Sequence, residues 1–280
     1  MTVEGMGSAL RESEIEVWKD LVARYQHPDR LRATWHIVNT FGAYVLCWAL
    51  IWFALSVSWW LVPPLAVLAG GLLVRVFIIF HDCGHGSFYA SRRANDVWGF
   101  LAGLLTFTPY YAWRWEHSIH HASAGNLDRR GIGDVWTMTI DEYLASSRWR
   151  RFLYAVARHP AVFLGLAPLV LFVFVQRIPP AKAGPRERRS VWWMNLALVA
   201  MGAGMSAIFG LVPYLVIQGS VIAVAGAAGV WLFYVQHQFE DAYWERSDDW
   251  GYADAALRGS SFYALPKVLQ WFSGNIGFHH

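Results

Sequence analysis

Four apolar stretches, 41–62, 65–80, 191–210 and 214–235, set the terms on which this chain folds. About 20 apolar residues in a helix cross the roughly 30 Å hydrocarbon core of a bilayer. Inside that core only helices or closed barrels satisfy the backbone. The stretches come in two pairs, divided at Pro63-Pro64 and at Pro213, and neither outer turn carries a charge. This predicts an all-α integral membrane protein built on two transmembrane helical hairpins, four spans in all. Composition agrees: 56% of the 280 residues are hydrophobic and 15% are charged, against roughly a quarter charged in soluble domains. A net charge of +3 gives no reason to expect a nucleic-acid partner.

The basic residues lie in the remaining segments, among them Arg30, Arg32, Arg92, Arg93, Arg114, Arg129, Arg130, Arg148, Arg150, Arg151, Arg186, Arg188 and Arg189. The positive-inside rule puts these segments and both termini in the cytoplasm, in a multi-pass protein of a bacterial inner membrane. Two shorter apolar runs, 97–112 and 161–176, have basic residues on both sides and are read as re-entrant or interfacial helices. The chain reads as a single domain, 1–280, with a polar cytoplasmic segment at 1–38, a short surface helix at 8–26 and a Pro/Gly/Arg linker at 177–190. No short apolar run with a small-residue cleavage site follows the start, so no secretory signal is expected. Cys47 and Cys83 form no CxxC pair, and a disulfide between them has no support. Arg75, near the middle of the second span, has no explanation in the sequence.

Eight of the 11 histidines fall in four knots, each just past an apolar run: His81 and His85; His117, His120 and His121; His237; and His279 with His280. Spacings of three and four residues put ring nitrogens on one face of a helix. With all four knots on the cytoplasmic side, the pattern reads as one multi-histidine metal site at a membrane surface. Imidazole suits Zn, Cu, Fe and Ni alike. Seven or eight imidazoles exceed one tetrahedral site and suit two ions. Ligating histidines pass their other ring N–H to a nearby acceptor. Asp82, Asn126, Asp128 and Glu240 are the candidates here, with Glu116 and Asp241 close by.

The sequences His81-Asp-Cys-Gly-His85, His117-Ser-Ile-His120-His121 and Gly274-Asn-Ile-Gly-Phe-His279-His280 resemble the three histidine boxes of membrane fatty-acid desaturases. Over roughly 35–280, the chain is most similar to bacterial and plastid-like acyl-lipid ω-6 (Δ12) members. Val235-Gln-His-Gln-Phe-Glu-Asp241 around His237 carries the same likeness. The resemblance implies two non-haem iron ions held by His81, His85, His117, His120, His121, His237 and His279. It also implies dioxygen as co-substrate, two external electrons, and insertion of a cis double bond into a long fatty-acyl chain. His280 falls on a spacer of the third box, His-x-x-His-His, so the end of the domain is expected to lie past residue 280. No cytochrome b5-like His-Pro-Gly-Gly motif is present, and a separate ferredoxin-like or cytochrome b5-like donor is expected. Aromatic residues near the boxes (Trp98, Tyr110, Tyr111, Trp113, Trp115) read first as an interfacial belt and second as the lining of an acyl tunnel.

Two other readings share part of this pattern. A histidine-rich diiron hydroxylase or ketolase of alkanes, sterols or carotenoids has the same boxes. The flanking Trp113-Arg-Trp-Glu-His117 and Gly274-Asn-Ile-Gly-Phe278 stretches favour the desaturase. A metal transporter requires histidines and acids at mid-depth in its spans, and these spans carry essentially none.

Overall fold

The computed structural model describes Val17, residues 20–23 and residues 26–278. Most of the surface helix expected at 8–26 therefore lies outside the described residues; Val17 and 20–23 are helical. Helix α1 (Arg30–Val57) starts where the Asp29 carboxylate accepts from the N–H groups of Leu31 and Arg32. The first span thus begins at Arg30 rather than 41, taking in the end of the polar segment assigned to 1–38. It stops at Val57 rather than 62, because Ser58 turns extended and its hydroxyl accepts from Trp60 N–H, opening a 3-10 turn over Trp59–Leu61. Helix α2 (Val62–His85) follows at once, with Pro63 in its first turn, where a missing N–H costs nothing.

The second hairpin is α8 (Pro185–Phe209) and α9 (Leu211–His237), joined through Gly210 at φ 82°, a left-handed angle open to glycine. Four described helices are long and apolar enough to cross a membrane. Their inner ends share one side of the molecule. Thr34 at the start of α1 bonds Tyr89 just past α2 (3.0 Å), and Ser190 at the start of α8 accepts from Tyr111 N–H (3.1 Å). The protein is an integral membrane protein.

The two shorter apolar runs each lie at a bend in the chain. Run 97–112 divides into α3 (Arg92–Leu105) and α4 (Tyr110–Ser123), with Phe107 left-handed at φ 59° between them. Pro109 forces the break, since the residue before a proline is pushed out of the helical region. Beyond α4 a long loop leads to α5 (Ile140–Ala145) and α6 (Arg148–Arg158), which presents exposed Trp149 and Phe152 beside its arginines. Run 161–176 is bent by 62° from α6 at His159-Pro160. It continues as a wide turn (Ala161–Leu166), α7 (Ala167–Val173) and a 3-10 turn. After α9 come α10 (Tyr252–Arg258) and α11 (Lys267–Ser273). Among the described residues there is no strand, only an isolated bridge between Asn126 and Glu245.

Helix α2 is the axis of the bundle and packs against α1, α3, α4, α9 and α11. Its side chains are apolar nearly all round, which suits a helix walled in on every side. Tyr110 locks α4 to it: 1% exposed, it donates from its hydroxyl to the Cys83 carbonyl (2.7 Å) and meets Phe80 edge-on. Gly99 of α3 makes the room, because a Cβ there would sit 2.2 Å from the Tyr110 ring. Cys47 and Cys83 are both buried and unlinked. Tyr110→Phe removes that hydrogen bond alone and is expected to cost about 1 kcal/mol, roughly 2 °C in Tm. Thermal unfolding in detergent checks this, and an unchanged Tm would remove the bond from the account.

Candidate metal centre

His81 and His85 occupy the last turn of α2 and project from one face of it, as the four-residue spacing predicts. His117 and His121 do the same on α4. The four rings meet through their Nε2 atoms. His117 Nε2 lies 3.0 Å from those of His81, His85 and His121, and His81 and His85 are 3.2 Å apart. Hydrogen bonding alone does not explain this, since a ring nitrogen offers one proton or one lone pair, and His117 faces three others. One metal ion bound at about 2.0–2.1 Å sets neighbouring nitrogens about 2.9–3.3 Å apart. All the ligand atoms of this group lie within 4.8 Å of one another. The donor set fits a metal ion.

A second group stands beside the first. His120, on the opposite edge of the α4 stripe, places Nε2 3.3 Å from Nε2 of His237 at the end of α9. His279 and His280 lie outside the described residues, so the third box is seen only up to Phe278. Glycine at position 84 is a packing requirement. A Cβ there would come within 2.8 Å of the Trp113 ring, which is itself stacked on His117 at 4.3 Å.

Three of the rings have partners for an outer nitrogen. Asp82 accepts from His81 Nδ1 (3.0 Å), as the sequence suggests. His120 Nδ1 donates to Asp134 (2.7 Å), and the carbonyl of Gly259 accepts from the ring of His237. A proton held on Nδ1 leaves the Nε2 lone pair facing inward, the tautomer a metal needs. Burial, then the neighbouring rings, push the proton affinity of His117 far below an ordinary histidine and that of His121 down to about 3. Both stay neutral near pH 7, the ligating form.

Asp134 escapes sequence reasoning because it sits on the loop 14 residues past its partner; its one local signal is the Gly131-Ile-Gly133 turn before it. Three side chains read from the sequence as second partners, Asn126, Asp128 and Glu240, lie elsewhere. Asn126 accepts from Asp128 N–H and Ser247, and Asp128 pairs with Arg246 and Ser247 N–H. Together they clip the exit of α4 to the segment after α9. Glu240 and Asp241 are exposed in a turn beyond His237. Glu116 reaches the cavity beside His117, and burial raises its carboxyl above the usual range.

Residues 58–280 match the family model for fatty acid desaturase. The chain is 45% identical over 259 residues to a fatty acid desaturase of Bacillus subtilis, covering 92% of this chain and 74% of that protein. It is 27% identical to an sn-1 acyl-lipid omega-3 desaturase (ferredoxin) of Synechocystis and 25% identical to an sn-1 oleoyl-lipid 12-desaturase from the same organism. Those alignments cover 79% and 81% of this chain, and 64% and 63% of the two relatives. The chain belongs to the fatty acid desaturase family.

In this desaturase the histidines form one end of a cavity of about 680 Å³, within the roughly 300–1,000 Å³ of ligand sites. His81, His117, His237 and Asp134 stand at that end, and α2, α7 and α9 supply apolar walls. Along α9 the cavity runs from His237 back to Ile222, about 22 Å at 1.5 Å per residue. Trp113 is the one aromatic residue of the group near the boxes that lines it; Trp98 and Tyr110 pack in the core and Tyr111 lies under Arg186.

Replacing Asp134 frees the outer nitrogen of His120. Asp134→Ala is expected to weaken metal binding about 10–100-fold. Metal titration of purified protein measures this, and unchanged affinity would remove Asp134 from the site.

Proposed function

We propose that this protein is an O2-dependent acyl-lipid desaturase that places a cis double bond in a long acyl chain, at the ω-6 (Δ12) position. One observation carries the reading: an apolar cavity of about 680 Å³ ends at the histidine cluster. His81, His85, His117 and His121 would hold one iron ion, and His120, His237 and His279 a second. Bound iron supplies, with dioxygen and two external electrons, the oxidising power toward an unactivated methylene that no side chain has.

The chain's own residues supply position. The walls of α2, α7 and α9 hold an acyl chain extended and dry. Its polar head group stays at the histidine side, because burying it in the apolar end would leave polar atoms unpaired. Trp113 closes the wall next to His117. Asp82, Asp134 and the Gly259 carbonyl keep the ring protons outward. The names of the Synechocystis relatives support an acyl-lipid substrate and a separate ferredoxin-like donor. Basic residues in the segments between the hairpins support a cytoplasmic face for the histidines, in a bacterial inner membrane.

Expression of the full-length protein in a host rich in monounsaturated lipid tests this, with gas chromatography–mass spectrometry of the acyl chains. A new diene is expected, with the added bond at Δ12. Hydroxylated chains without a diene would overturn the desaturase reading, and a diene elsewhere would overturn the position.

Gly229 offers a test of the cavity itself. It lines the wall eight residues before His237, about 12 Å along α9, and an added Cβ there meets nothing within 4 Å. Gly229→Leu is expected to fill the deep half and shift preference to shorter acyl chains, by roughly 10–200-fold per methylene excluded. Gly219→Leu, on the same helix outside the cavity and equally free of neighbours, serves as the control. An identical product profile for both variants would show that the chain does not occupy this space.

A further inference from the structure

Arg75 lies in the middle of α2, ten residues before His85, about 15 Å along the axis. It is 5% exposed. A charge at that depth is expensive and needs partners. Its Nε donates to Thr40 Oγ1 (3.0 Å), and one terminal nitrogen lies 2.8 Å from His36 Nδ1, both on α1. The other donates to the carbonyl of Trp271, and the guanidinium lies 4.2 Å from the centre of the Trp271 ring. No described carboxylate is bonded to it, and it does not line the acyl cavity.

Trp271 belongs to the last turn of α11. Carbonyls there have no partner within the helix, and a cation suits the negative end of the helix dipole. A seven-residue helix has little stability of its own, so what docks it decides where the chain goes next. Beyond it every step is fixed. Gly274 and Asn275 are left-handed at φ 55° and 61°, and a Cβ on Gly274 would sit 2.8 Å from Ile78 of α2. The Gly277 carbonyl accepts from Tyr263 N–H (2.9 Å), and Phe278 stacks on Phe262 at 4.3 Å. His279 is the next residue in the sequence.

We propose that Arg75 is a positioning residue: it ties the segment 267–278 to α1 and α2 and thereby sets the path of the chain that leads into the third histidine box. This rests on the two-ion reading of the site. This mid-span charge then serves the metal centre at a distance, through a backbone carbonyl and a ring rather than by touching metal or substrate.

The test uses full-length protein in lipid nanodiscs, with metal content per chain and hydrogen–deuterium exchange read separately. Arg75→Met is expected to weaken the second metal equivalent by about 10–100-fold, leaving about half the wild-type metal. Exchange should rise in 262–278 and stay unchanged in the α1–α2 hairpin. Arg75→Lys, which keeps the charge but cannot reach all three partners, should fall between. Trp271→Ala leaves α2 intact and carries the test if Arg75→Met does not fold; it should loosen the same segment. Full metal content in the variants, or metal loss with exchange rising throughout, would overturn the proposal. Wild-type protein that binds a single ion would instead sink the two-ion reading.

Discussion

Six imidazole rings from three helices meet nitrogen to nitrogen at 3.0–3.3 Å, and the rest of the structure serves that convergence. A proton on His117 or His121 would set a charge against buried neighbouring rings, and burial keeps both neutral near pH 7. The backbone must also bring the ends of α2 and α9 to the same side as α4, which an up-down hairpin pair does without long loops. Helix α2 carries the arrangement, packed against α1, α3, α4, α9 and α11.

Around that centre the protein divides its labour by depth. Close to the rings, carboxylates and a carbonyl fix tautomers, and Trp113 fixes a plane. Farther in, the cavity is walled mainly by apolar side chains of α2, α7 and α9. Glycine recurs where helices or rings must approach closely: position 84 for Trp113, position 99 for Tyr110. Such positions read in sequence as weak helix formers, and only the packing gives their reason.

Much of the fold and half of the site were legible in advance. The spans, their pairing and the helical spacing of the histidines follow from local periodicity, which a single sequence carries. Asp82 was legible for the same reason, being next to its partner. Asn126, Asp128 and Glu240 were not, because nearness in sequence to a histidine says nothing about where a loop turns. Asn126 and Asp128 spend their side chains on residues 246–247, more than a hundred positions away. Span limits shifted for local reasons of capping, at Asp29 and Ser58.

The sequence by itself determined that the chain enters a membrane as helices, that its histidines gather on one side, and that imidazole chemistry governs the site. Each of these is a matter of composition and of 3.6-residue periodicity. Only the tertiary structure decided which histidines share a group, that Asp134 rather than the nearer acids supports His120, and which groups hold a mid-span arginine. Those outcomes depend on contacts between residues 14, 117 and 196 positions apart. Side chains that distant in sequence become neighbours only when packed helices fix the path of the backbone between them.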